Sequence, residues 1–205
     1  MSFLKDEGGW ADFFITRIGL ILFTAMLLLS AFKIYPMFQE REVRAGLDVI
    51  GSDLASKIES VDITSIPGYR YTYVFDKNIK DVDIELSTEF VTVRRNFSAG
   101  IWGESELVHS EPLVTHVYPP NDNWTNSSGL RKYLSDTFGE SGDGSAPLEL
   151  KDKGAVDGMF SHTIPALART PFRPDLEKPL NIEKIMIYYH SGKETITRDY
   201  VLIYQ

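Results

Sequence analysis

The sequence contains no cysteine. That absence excludes disulfides, thiolate metal sites, iron–sulfur clusters and cysteine nucleophiles together. It leaves the compartment open, because a cysteine-free chain survives on either side of a membrane. Basic clusters are also missing: 21 Lys and Arg stand against 29 Asp and Glu, for a formal net charge of −8. A non-specific nucleic-acid binder needs such clusters to displace counterions from phosphate, so no nucleic-acid partner is expected. No phosphate-cradling or dinucleotide glycine motif occurs, and no internal repeat is visible. At 43% hydrophobic and 24% charged residues, disorder is not the expectation either.

What is present first is an apolar run. Between Arg17 and Lys33 lie fifteen residues without a charge. At about 1.5 Å rise each they span roughly 22 Å, short of the roughly 30 Å hydrocarbon core. Arg17 and Lys33 can snorkel, and residues 13–38 then give ample length. Trp10 and Tyr35 suit the two interfaces. Leu20, Leu27 and Leu28 belong to a segment that is apolar on every face, which few core helices need. A cleaved secretory signal fits poorly, because the start is acidic on balance and no small-x-small site follows the run.

Beyond the run, Val43, Leu47, Ile50, Leu54, Ile58 and Val61 recur at helical spacing as one stripe. Only Pro36 interrupts the pattern, and it is expected to kink the helix without ending it. The spacing predicts one long helix over 11–61, stopping before Pro67-Gly68. The expected organisation is a short leader over 1–10, a transmembrane or filament-core helix over 11–38, an amphipathic continuation over 39–62 and a β-rich domain over 68–205.

After Gly68 the period switches to two. Strands are expected at 69–75, at 81–97 with a break near Ser87-Thr88, and at 106–120 as a strand pair or one bent strand. The run 184–204 reads as a hairpin turning at His190-Ser191-Gly192-Lys193. Segments 121–129 and 138–153 read as irregular, around a short helix at 130–136, and 165–179 as an ordered loop over the sheet. The fold class is α+β, a long N-terminal helix followed by a mostly antiparallel sheet.

A membrane helix running into an amphipathic helix and then a β domain resembles a type IV pilin. The closest likeness is to archaeal pilin-like proteins that open with a short charged leader, glycine, an acidic residue and phenylalanine. Here these are Asp6-Glu7-Gly8-Gly9, then Asp12-Phe13, and the stretch 51–61 is similar to that group as well. The resemblance covers about the first sixty residues. It implies a prepilin-type peptidase cutting near Gly8, Gly9 or Trp10, an assembly machinery, and other pilin-like subunits met through the N-terminal helix. It also implies that the Asp12 carboxylate meets a neighbour's new N-terminal ammonium. The alternative reading of Asp12 is a residue at the membrane face that pairs with Arg17. A cut after Gly9 puts Asp12 third, where the family has its acid fifth, which suits a minor or pilin-like component. The anchor or assembly residues are then Asp12, Phe13, Arg17, Leu20, Leu27, Leu28, Lys33 and Pro36.

Basic residues flank the apolar run almost evenly, with Lys5 and Arg17 before it and Lys33, Arg41 and Arg44 after it. Three sequons, at Asn96, Asn123 and Asn126, favour a β domain outside the cell and offer sites for N-glycosylation. No catalytic constellation stands out. Gly103-Glu104-Ser105-Glu106-Leu107 approaches a nucleophile elbow but lacks its final glycine. His109 and His116 sit seven apart, on opposite faces of a regular strand, so no metal and no cofactor are expected. The segment 139–145 could bend around calcium through Glu140 and Asp143, but without EF-hand spacing it reads as a mobile loop. Tyr188, Tyr189, Tyr200 and Tyr204 read as sheet packing. The expected function is non-enzymatic: a pilin-like surface protein acting in assembly or adhesion, with membrane lipid and like subunits as partners. The rivals are a single-pass membrane-anchored binding module and a membrane-tethered hydrolase built on His109 with Glu104 or Glu111.

Overall fold

The computed structural model describes residues 7–76, 81–98, 104–192 and 194–205. The chain divides between Val43 and Arg44 into two compact units. Helix α1 (Glu7–Asp62, 56 residues) contributes to both. It starts before the expected position 11: residues 7–10 are helical, and residues 1–6 lie outside the described set. The chain stays helical across position 36, although proline removes one backbone donor there.

In the first unit α1 exposes large apolar side chains on all sides, from Trp10 through Leu20, Leu27 and Phe38. In the second unit its character changes. Leu47, Leu54, Ile58 and Val61 are buried, Ile50 is half-buried, as is Val43 at the end of the first unit, and the polar residues between them are more exposed. The stripe is therefore read correctly from its spacing, with Gly51 and Ala55 as two further buried members.

Two sheets follow. The first is antiparallel, β2 (Val82–Leu86), β3 (Phe90–Ser98) and β4 (Glu104–Pro112) in that order. The second joins β1 (Arg70–Tyr73), β5 (Val117–Tyr118), β6 (Leu148–Glu149), β7 (Leu180–Ser191) and β8 (Glu194–Tyr204). Its path is β1-β7-β8-β5, with β6 also on β7. The β5–β8 and β6–β7 pairings are parallel, so this sheet is mixed. The run 106–120 resolves into two strands of different sheets, split around Leu113. The C-terminal hairpin is longer than expected, beginning at Leu180. Its turn sits one residue later, with Ser191 opposite Glu194.

Strand β7 is the organising strand. Along one edge β8 pairs with it from Asn181 to Ser191. Along the other edge β1 takes its start and β6 its end. The backbone groups between those partners find others: Tyr188 N–H donates to the Gly142 carbonyl at 2.9 Å, and Arg131 Nη2 donates to the Met186 carbonyl at 2.6 Å. Buried backbone polar groups must be paired somewhere, and here a loop and a side chain complete the edge. Arg131 Nη1 also donates to the Ser141 and Gly142 carbonyls at 3.1 and 2.6 Å. The segment 139–145, expected as a mobile loop, is thus fastened to β7. Within it Asp143 accepts hydrogen bonds from Ser141, Ser145 and Ala146, which occupies its oxygens without a cation.

Helix α2 (Ser127–Phe138) is capped by Asn126, whose Oδ1 accepts from Gly129 N–H at 2.8 Å, and ends at Gly139 with φ of 89°. Helix α3 (Lys153–Arg169), preceded by a 3-10 turn at Leu150–Asp152, was not expected. It begins at the last residue of the anticipated irregular stretch, fills 154–164, for which no element was expected, and takes the start of the proline loop. Val156, Phe160 and Leu167 form its buried stripe, and Pro165 lies inside it. Both helices cover one face of the mixed sheet, burying Leu130, Leu134, Val156 and Phe160 with Ile185, Ile187 and Tyr189. The opposite face carries Lys184, whose Nζ reaches the Asp62 carbonyl at the end of α1 and Asp199 Oδ2 at 3.0 Å. No basic residue lies in the last turn of α1, so Lys184 supplies from β7 the cation that a helix C-terminus favours.

Leu54→Ala is expected to destabilise the second unit by about 2–5 kcal/mol, as a fully buried leucine should. Asn126→Ala should cost about 1 kcal/mol through loss of the α2 cap. Chemical denaturation of the two variants beside the parent protein reads both values. A loss below about 0.5 kcal/mol for Leu54→Ala would contradict the packing of α1 described here.

Candidate functional site: an exposed apolar helix and a histidine–carboxylate cluster

Two features stand out, one in each unit. The first is the apolar part of α1. It is long and apolar enough to cross a membrane, and its most apolar window is wholly exposed. Leu20 and Leu27, seven positions apart on one face, are 66% and 55% exposed, and Leu22 and Leu29 on the opposite face are 59% and 65% exposed, so no single neighbour within the chain could have covered them. Its hydroxyl groups are satisfied within the helix. Thr16, Thr24 and Ser30 donate to the carbonyls of Asp12, Leu20 and Met26 at 2.7 to 2.8 Å. Turned inward this way, a hydroxyl adds little polarity to an apolar surface.

The charged residues of this segment lie toward its ends. Asp12 and Lys33 are exposed. Arg17 does not pair with Asp12 among the described residues; its guanidinium carbon lies 4.4 Å from the Phe13 ring centroid. The reason is angular. At about 100° per residue a side chain five positions on points well round the helix, whereas one four positions away is a neighbour. Trp10 joins Phe13 and Phe14 in an aromatic group with ring centroids 6.0 to 6.4 Å apart. Gly8 and Gly9 are helical, and the side chain of Pro36 is outside the described set.

The second feature lies in the unit beginning at Arg44. In β4 the alternation of faces places Leu107, His109 and Glu111 together, and Val108 and Ser110 outward. His109 Nε2 lies 3.3 Å from Glu111 Oε2 and 3.4 Å from Asp48 Oδ1 on α1. Gly51, one turn after Asp48, makes room: a Cβ there would stand 2.9 Å from His109 Cδ2 and 3.3 Å from its Nε2. His109 is largely buried, Glu111 half-buried and Asp48 exposed. His116, expected in the same strand region, lies beyond β4 and pairs with Glu89 at 3.4 Å. The structure therefore brings Glu111 to His109 but not His116, while Glu104 has no described side chain. Asp48 was missed because nothing in a linear reading brings residue 48 beside residue 109.

A groove of about 370 Å³ lies over Tyr118, Asp157, Phe160, Arg198 and Tyr200. Phe160 and Tyr200 stack in it with centroids 3.8 Å apart, and Tyr200 donates to Asp157 at 2.8 Å. Burial, then that hydrogen bond, pushes the Tyr200 phenol far above its usual range. On the same sheet Tyr204 donates to the buried Glu183 at 2.5 Å. Burial, then this bond, raises its pKa to about 12. Tyr189 is completely buried in the same core as Tyr204, with Tyr200 packed against it, so these three serve sheet packing as expected, while Tyr188 is half-buried. Of the sequon residues, Asn96 and Asn123 are exposed, and Asn126 is half-buried with its oxygen engaged as the α2 cap.

Phenols held protonated in the fold bind protons that the unfolded chain has already released above pH about 10. Their contribution to stability is complete below that pH and falls as pH rises toward 12, the value to which Tyr204 is raised. Tyrosinate absorbance and circular dichroism followed from pH 8 upward should therefore change together, as unfolding releases the phenols. Full ionisation of all tyrosines near pH 10, with the fold intact, would contradict the burial described here.

No family model, no curated protein and no solved structure matches the chain.

Proposed function

We propose that the chain is a non-enzymatic, pilin-like surface protein, held by its apolar helix in a membrane before assembly and in a filament core or assembly apparatus afterwards. The observation that carries this reading is the exposed, internally satisfied apolar surface of α1 from Trp10 to Phe38, in a chain that also folds an α+β unit with its own core. Such a surface has to be covered, and lipid or the same helix of other copies would cover it on all sides. Asp12 supports the assembly part. A carboxylate near the end of an apolar helix is costly alone and gains most from a cationic partner, and a neighbouring subunit's N-terminal ammonium is one. With the second unit outside the cell, exposed Asn96 and Asn123 would be open to glycosylation.

The test is the intact mass and N-terminal sequence of the native protein, from washed membranes and from a sheared surface fraction. The proposal expects a mature chain beginning at Gly8, Gly9 or Trp10, recovered in the sheared fraction. It also expects Asp12→Ala to remain in membranes yet vanish from that fraction. A chain starting at Met1 or Ser2, confined to membranes, would replace the assembly reading with a single-pass anchored binding module. Release of the protein by carbonate washing would remove the membrane reading altogether.

A further inference from the structure

We propose that Asp48, His109 and Glu111 form a binding site for one divalent first-row transition metal ion, of which zinc is the reference probe. The proposal concerns the unit beginning at Arg44 alone and does not depend on how α1 is anchored.

The distances carry the argument. One nitrogen, His109 Nε2, faces two carboxylate oxygens at 3.3 and 3.4 Å. A charge-assisted N–H···O bond is about 2.7–2.9 Å long, and Nε2 carries at most one hydrogen to share. Neither contact is a good hydrogen bond, and both cannot be. Two ligands each about 2.0–2.2 Å from a tetrahedral zinc ion stand about 3.4 Å apart. The observed separations match that figure on both edges that meet at Nε2. All three ligand atoms lie within 4.8 Å of one another, so two carboxylate oxygens share a small volume where a dication would offset their repulsion.

The surroundings fit the same ion. His109 is held at the edge of the helix by the missing side chain of Gly51, on the face that also carries the buried Leu107. Its ring is thus fixed by packing before any ligand arrives. The ligands come from two elements, one from α1 and two from β4 at i and i+2, so the ion would fasten the helix to the sheet. Imidazole selects for zinc, iron, nickel or copper over magnesium and calcium, while the carboxylates offset the dication's charge. With three protein ligands a fourth position stays open on the side of the exposed Asp48, and water would fill it.

The test uses the full chain in detergent micelles, with any affinity tag removed, and zinc or cobalt ions alone as probes. The expected result is uptake of one zinc per chain, a visible d–d band on cobalt loading, and a melting temperature that rises with zinc and returns with chelator. At a hundredfold excess of zinc over Kd the rise should be about 5 °C or more. Asp48→Asn changes an exposed residue and should keep the fold, yet weaken zinc binding at least tenfold. Glu111→Gln and His109→Ala should do the same, and Glu89→Gln beside His116 should leave binding unchanged. Absence of stoichiometric uptake would overturn the proposal. So would uptake by Asp48→Asn within threefold of the parent, since the ion would then sit elsewhere.

Discussion

Burial of one helical stripe is the interaction on which the second unit depends. Leu47, Leu54, Ile58 and Val61 leave water on α1, and groups from both sheets close around the same stretch. Tyr73 on β1 donates to Asp53 at 2.9 Å, Val93 and His109 approach Gly51, and Lys184 on β7 meets the last turn at Asp62. The Val114 N–H donates to Glu59 at 3.2 Å. A direct bond between the sheets runs from the Val117 N–H on β5 to the Thr88 carbonyl in the turn between β2 and β3. The helix is therefore the common wall. A residue on its stripe is felt by strands that are distant in sequence and not paired with one another.

Among the described residues, the charges buried in this unit are ones on which several partners converge. Glu183 receives Arg70 and the Tyr204 hydroxyl, and Glu85 receives Arg94 at 2.8 Å and Arg173 at 2.5 Å. The second of these fastens residues 170–179 to β2, where Leu86 and Phe172 also exchange backbone bonds. Arg131 is the unusual member, because its partners are carbonyls. Burial lowers its pKa, but guanidinium remains charged at any working pH. A planar fork can serve three carbonyls from two segments at once; a lysine at this position could not reproduce that geometry.

Much of this arrangement was legible in the sequence, in proportion to how local its causes are. The stripe on α1 is periodic over ten residues or more and was read correctly, and the β-rich runs of β7 and β8 were recognised as a hairpin, though with a later start and an earlier turn than the structure shows. The break near Ser87 falls where Ser87 Oγ accepts from Phe90 N–H, a local turn device. Helix α3 was hidden by Gly154, Gly158 and Pro165, residues that disfavour helix and read as loop. Its stripe of Val156, Phe160 and Leu167 was there to be counted, and the apolar face of the sheet decided in its favour. Strands β5 and β6 have two residues each and exist only because β8 and β7 offer free edges. The cluster at His109 was half visible. Glu111 shares its face by strand geometry, whereas Asp48 arrives only through packing of α1.

The order of strands in the mixed sheet sets a timetable for synthesis. Strand β1 cannot pair until β7 exists, and Arg70 meets Glu183 across 113 residues of chain. At about 5–20 residues per second, a ribosome spends roughly 6–23 s on that interval. The apolar half of α1 has by then long left the exit tunnel, and its stripe at 47–61 is still without the mixed sheet that will cover part of it. The nascent chain thus presents two greasy surfaces in succession. One needs a bilayer or a chaperone at once. The other can only wait for β7.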